Sequence, residues 1–190
     1  MTVTELTAQL PGYVTGTWAI DPVHSEVSFS IRHLMLSKVR GRFSRFEGQL
    51  VTGDNPLDSR VEATVDLTSI DTNNPDRDAH IRSADFFDVE QYPTMTYRST
   101  GVRAYGDGFI VDGELSLHGV TRPVPLALEV DGFLPTSPFG DTRVGFTAST
   151  DINRSDFGVK FNMVLDNGGL GLGEKVHVTL DIEAILQPAT

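Results

Sequence analysis

The chain of 190 residues contains no cysteine. Disulfide stapling, thiolate nucleophiles and cysteine-based zinc or iron–sulfur sites are therefore excluded. No apolar run approaches the roughly 20 residues that cross a bilayer, so an integral membrane protein is not expected. The opening stretch MTVTELTAQLPGYVTG has neither basic residues nor the apolar core of a secretory leader, which leads to the expectation of a cytoplasmic protein. Positive charge is also scarce. Lysine and arginine number 15 against 26 aspartates and glutamates, for a net charge of −11. That balance argues against nucleic acid, and against an anionic membrane surface as the main partner.

Several motifs of catalysis are missing as well. There is no G-x-S-x-G elbow and no strand–helix alternation to carry one. NGGLGLG (residues 167–173) lacks both dinucleotide-fingerprint spacing and a Walker lysine. Asp76 and His80 in DRDAH stand four apart, a metal-compatible spacing on a helix, but acidic residues near a helix start are explained by the helix dipole alone. No cofactor and no metal are expected.

What the sequence does contain is alternation with a period of two. From Val23 to His33 the odd positions are mainly apolar and the even ones polar, as in a strand with one face in a core. KVRGRFSRFEGQLV changes parity between Phe43 and Phe46, which predicts a β-bulge near Ser44–Arg45. Six further alternating segments follow, with a hairpin signal at Tyr105–Gly108. Eight strand candidates in one domain favour a closed antiparallel barrel over a sandwich, since closure removes the edges and eight strands enclose one small ligand. The exception is Asn73–Phe87, where an N-capping Asn74, Pro75 at the first helical position and Asp76 and Asp78 predict a short helix over residues 75–87. Residues 1–15 form an extension with a second, shorter helix at Thr4–Gln9, and residues 16–187 form the barrel domain.

His24 and His33 are nine residues apart, so in one regular strand they face opposite sides at about 30 Å. They are not expected to share a metal or a proton. His33 falls on the apolar parity, just before the run Leu34–Met35–Leu36. An exposed run of this kind marks an interface or a cavity rim. The surrounding segment holds Arg32, Lys38, Arg40, Arg42 and Arg45, a third of all the basic residues.

The segments WAIDPVHSEVSFSIRH, VRGRFSRFEG, RDAHIRSADFFDVEQYPTMTYRS, GELSLHGVTRPV and INRSDFG resemble, in order, the YceI-like family of lipocalin-like, polyisoprenoid-binding proteins. The resemblance implies an all-β fold: an eight-stranded antiparallel, extended lipocalin-like barrel with one short α-helix and an elongated apolar tunnel. It also implies a lipophilic small-molecule partner, an isoprenoid or fatty-chain amphiphile, with no nucleic acid, no covalent chemistry and no cofactor; a homodimer is compatible with it. On this reading Val27, Phe29, Ile31 and Phe43 line the interior, with Met35, Leu36 and Val39 near its mouth. Phe86, Phe87, Met95, Tyr97, Phe146, Phe161 and Met163 add to the wall. His33 is the candidate contact to a polar head group, with Arg82 or Asn162 assisting. The competing class is an isomerase or hydrolase acting on a lipophilic substrate through a convergent set such as His33, Asp78 and His80.

Overall fold

The alternating segments form a single sheet. The computed structural model describes residues 3–166 and 168–189; Met1 and Thr2 of the extension, Asn167 of the glycine-rich loop and Thr190 lie outside the described residues. Twelve strand segments run β1 Gly16–Ile20, β2 Glu26–His33, β3 Ser37–Phe43, β4 Phe46–Thr52, β5 Arg60–Asp66, β6 Ile70–Asp71, β7 Thr94–Tyr105, β8 Gly108–Leu117, β9 Val120–Pro123, β10 Leu126–Leu134, β11 Arg143–Asn153 and β12 Leu172–Leu186. Helices α1 (Val3–Ala8) and α2 (Pro75–Arg82) precede β1 and follow β6.

These segments make an eight-stranded, closed antiparallel barrel of lipocalin-like form. β1 and β2 are two halves of the first barrel strand, and β3 and β4 two halves of the second, because β1 pairs with β4 and β2 with β3. The long β12 closes the ring, pairing with β11 on one side and with both β1 and β2 on the other. Trp18 lies opposite both Leu50 and Leu186, so its side chain sits on the closing seam. It is fully buried, and its indole Nε1 donates to Thr52 Oγ1 at 2.9 Å.

The break between β3 and β4 falls at Ser44–Arg45, where the change of parity placed it. The structure has a two-residue interruption there rather than a registered bulge, and Arg45 N donates to Ser69 Oγ, which satisfies an amide outside the ladder. The first strand starts later than its alternation suggests. Asp21 Oδ1 accepts from Val23 N and Asp21 O from His24 N, so Asp21 and Pro22 make a turn that leaves Val23 exposed and postpones β2 to Glu26. His24 is therefore a turn residue. In the β2–β3 hairpin both central residues of the turn, Leu34 and Met35, have positive φ (50° and 57°). Such a turn favours Asn-Gly, and each side chain with a Cβ in this region costs about 1–2 kcal/mol.

Helix α2 is shorter than the sequence pattern indicates. Asn74 Oδ1 caps it by accepting from Arg77 N, as its position suggests. It ends at Arg82 rather than at residue 87, because Ser83 turns the chain and Phe87 N and Val89 N then bond back to Ile81 O and Arg82 O. Phe86 and Phe87 consequently leave the helix and point to different places.

The barrel interior has two unlike ends. Under α2 it is packed solid by Phe43, Leu67, Ile70 and Phe157, with Phe29 and Phe87 against them. Phe29 lies across Gly41 on the neighbouring strand, where a Cβ would come within 2.5 Å of the ring. At the other end α1 closes the opening. Leu6 and Leu10 are buried there against Phe109, with Tyr13 and Phe133 packed alongside.

Candidate functional site

Between these two ends the inward side chains do not fill the barrel, and a cavity of about 250 Å³ is left. Its wall comes from Val61, Ala63 and Val65 on β5, Phe109 and Val111 on β8, Leu126 and Leu128 on β10, Phe146 and Ala148 on β11, and Leu180 and Ile182 on β12. Leu10 and Tyr13, beside α1, complete one end. The cause is side-chain volume. Ala63 and Ala148 stand where aromatic rings stand in the packed half, so the same barrel cross-section is not filled.

Tyr97, Tyr13 and Thr52, polar residues on this wall, are held by the protein itself. Tyr97 OH lies 3.1 Å from Val111 O and 3.0 Å from Val124 O, carbonyls beside the gap where β9 gives way to β10. Its ring passes over Gly113, where a Cβ would meet it at 2.4 Å, so glycine is required at that position. Burial pushes the Tyr97 phenol pKa upward, and the Asp112 charge adds to the shift; the group stays neutral. Tyr13 OH donates to Gly53 O at 2.7 Å, and Thr52 Oγ1 to Val14 O at 2.7 Å. What remains for a ligand is an apolar surface, and its chemistry is burial of hydrocarbon.

The structure brings some of the expected lining residues together and sets others apart. Val27, Met95, Tyr97 and Phe146 line the cavity. Phe29, Phe43 and Phe87 belong instead to the packed end, with Phe43 buried and its ring centroid 5.7 Å from Phe29 and 6.2 Å from Phe87. Ile31 is buried and Val39 half-buried opposite it on β3, both outside the lining. Met35 and Leu36 form the exposed tip of the β2–β3 hairpin rather than a cavity mouth. Phe86 and Phe161 stack with His80 in a three-ring group beside α2, with centroids about 5 Å apart.

The expected polar helpers are structural. Arg82 donates to Thr68 O and Ile70 O in a polar cleft under α2. Asn162 bonds both backbone groups of Leu172, its Oδ1 accepting from the amide and its Nδ2 donating to the carbonyl. Met163 is exposed on the same loop. His33 ends β2, half-buried and outside the lining. Asp78 accepts from Thr72 N and Oγ1 in the interior, whereas His80 pairs with Asp85 at the surface. The set His33, Asp78 and His80 therefore does not converge on the cavity.

Sequence reasoning overlooked Val61, Ala63, Val111, Leu126, Leu128, Ala148 and Leu180 as wall residues. Their inward parity was readable. Ala63 and Ala148 carry a further signal, because a small inward residue leaves space that a larger one would fill.

A second cluster joins residues distant in the chain. Arg143 Nη1 donates to Asp21 Oδ2 at 3.0 Å and to Glu183 Oε1, while its Nε and Nη2 hold Asp141 at 2.8 Å each. His24 Nδ1 lies 2.8 Å from Asp21 Oδ2. Asp21, His24 and Glu183 are close enough together to ligate a cation, but the Arg143 guanidinium already bridges the two carboxylates. The cluster is thus a buttress across the β1, β11 and β12 seam. Hydrogen bonds from Arg143 and then Ser137 lower the Asp141 pKa to about 2, and the bond with His24 does most to lower that of Asp21. Carboxylates lowered on folding stabilise the fold above their usual range, near about 4, and that stability is lost as the pH falls through the folded values. The urea midpoint is therefore expected to stay level from neutral pH to about 5 and to fall between about 4 and 2. A midpoint that rises on acidification would contradict this role for the cluster.

Comparison with known proteins places this barrel among relatives. The YceI-like domain matches residues 18–184. A UPF0312 protein of Pseudomonas aeruginosa is 38% identical over 165 residues, covering 86% of this chain and 83% of the relative. The protein YceI of Escherichia coli is 40% identical over 141 residues, 74% of this chain and 73% of the relative. Among solved structures, BcnA of Burkholderia cenocepacia superposes with a TM-score of 0.75 at 21% identity, over 86% of this chain and 98% of that one. A polyisoprenoid binding domain from Saccharophagus degradans, implicated in plant cell wall breakdown, gives a TM-score of 0.67 at 18% identity, over 92% and 100% of the two chains.

Proposed function

The chain belongs to the YceI-like family, and from that premise we propose that its barrel binds, stores or carries a single lipophilic chain without covalent chemistry. The observation that carries the reading is the cavity itself: it lies inside the barrel, is walled almost wholly by apolar surface, and has its two tyrosine hydroxyls bonded to backbone carbonyls. An isoprenoid or fatty-chain amphiphile suits such a wall, and the polyisoprenoid-binding relative of the same fold favours the isoprenoid. At about 250 Å³ the cavity stands near the lower end of small-molecule pockets, which fits one chain rather than a two-tailed lipid.

Burial of methylene groups supplies the driving force, so affinity follows chain length. Across a homologous series of linear prenyl and alkyl alcohols, Kd is expected to tighten by up to about fourfold per added CH₂ until the cavity is full, and then to level off. Competition against a fluorescent fatty probe measures this. Affinity independent of length, or an absence of binding across the series, would overturn the proposal.

A further inference from the structure

We propose that the end of the barrel formed by the β2–β3 turn and the neighbouring 160–171 loop is a docking tip for an anionic lipid bilayer. The two loops form one surface. Leu34 N donates to Gly171 O at 2.8 Å, Gly171 N to Met163 O at 2.8 Å, and Val164 bridges to Leu170. Among the described residues, this small tip carries five of the nine large hydrophobic side chains that stand exposed: Met35 (67%), Leu36 (83%), Met163 (57%), Val164 (76%) and Leu170 (43%). Scattered singly such residues need no explanation, but gathered at one protruding end they mark an interface.

The backbone gives an independent reason. Leu34 and Met35 occupy the two positive-φ positions of their turn, where Asn-Gly would sit without strain. Neither residue improves the fold there, so their presence points to a use for apolar side chains at the tip.

Charge identifies the partner. The chain as a whole is strongly acidic, yet Arg32, Lys38, Arg40 and Lys160 stand exposed at this end, against the carboxylates of Asp166 and Glu174. Arg32 and Lys38 are direct cross-strand partners, and Arg40 follows on the same face. Like charges directly opposite each other destabilise a sheet pair, and among the described residues none of these four cations has an ion-pair partner. The nearby Glu174 is engaged by Arg154 and Lys175 by Asp151. Apolar side chains at a tip with unrelieved cations behind them match the hydrocarbon and the phosphate layers of an anionic leaflet. A two-fold contact between copies through this tip would bring the two sets of cations together, which argues against a second chain as the occupant. The inference stands apart from the ligand proposed above.

The test is co-sedimentation of the full chain with vesicles of phosphatidylcholine, with and without phosphatidylglycerol. The wild-type protein is expected to bind the anionic vesicles at low salt, to bind neutral ones far less, and to lose most binding at about 0.5 M salt. The turn variant Leu34→Asn, Met35→Gly, Leu36→Ser should lose at least tenfold in partitioning while its melting temperature is unchanged or raised. Substituting Ser for Arg32, Lys38 and Arg40 should cost about fivefold per cation on anionic vesicles only. Absence of wild-type binding to anionic vesicles would overturn the inference, as would unchanged binding by the turn variant. So would a dimer, seen by size-exclusion chromatography, that the turn variant dissolves without any vesicle binding.

Discussion

Replacement of Ala148 by Trp is expected to abolish retention of a lipophilic chain while leaving the barrel folded. Ala148 is buried on β11, opposite Leu128 on β10 and Leu180 on β12, and faces the cavity. An indole at that position extends into space that is otherwise empty, so it escapes most of the overpacking penalty that a filled core imposes. Excluding four carbons of a bound chain forfeits about 3 kcal/mol, or roughly two orders of magnitude in Kd. A probe-displacement titration reads the affinity, and a melting curve shows whether the barrel persists. Full affinity in a folded Ala148→Trp protein would place the ligand elsewhere.

Arg154→Ala is expected to produce the largest loss of stability that any single side chain of this protein outside the apolar core would cause. Arg154 is 4% exposed, and its guanidinium holds four separate acceptors: Nε donates to Gly173 O at 2.8 Å, Nη1 to Val159 O and Phe161 O, and Nη2 to Glu174 Oε1 at 3.1 Å. Burial draws its pKa down and the Glu174 carboxylate opposes that, so the bonds are charge-assisted. Truncation strips partners from three carbonyls at once, at about 1–3 kcal/mol each where they stay dry. Glu174 is about half exposed and contributes little, so a total near 3 kcal/mol is reasonable, which lowers the melting temperature by roughly 6–12 °C. Arg154→Lys should recover only a fraction, because a point ammonium does not span acceptors that a planar fork reaches. The loss should be concentrated in hydrogen-exchange protection of residues 159–166 and 168–171, which supply three of the five exposed apolar side chains of the tip. A melting temperature within about 2 °C of wild type would remove Arg154 from this role.

Much of the architecture was legible because its causes are local. Parity along each segment marks inward faces, the shift between Phe43 and Phe46 coincides with the break between β3 and β4, and Asn74 with Pro75 marks the start of α2. What escaped depends on distant partners. The end of α2 is set by backbone bonds from Phe87 and Val89, which no helical pattern contains. The delay of β2 to Glu26 is set by the Asp21 turn and its ties to Arg143, 122 residues away. For the site, parity identifies inward-facing residues but does not say which half of the barrel is left unfilled. Phe29, Phe43 and Phe87 fill the barrel under α2, whereas Ala63 and Ala148 stand where the interior remains open. The closure of that space by Leu6 of α1 and Leu10 just after it is a tertiary contact of a segment with no strand signal.

The central claim is that the apolar cavity between these two ends holds one lipophilic chain. The most direct measurement is a native mass spectrum of the intact protein, purified without detergent and compared with that of Ala148→Trp. The wild-type spectrum should show, besides the mass of the bare chain, a second species heavier by the mass of one discrete lipid, and the variant should lack it. A bare wild-type protein that also fails to take up added prenyl or fatty chains, or an adduct retained undiminished by the variant, would contradict the account.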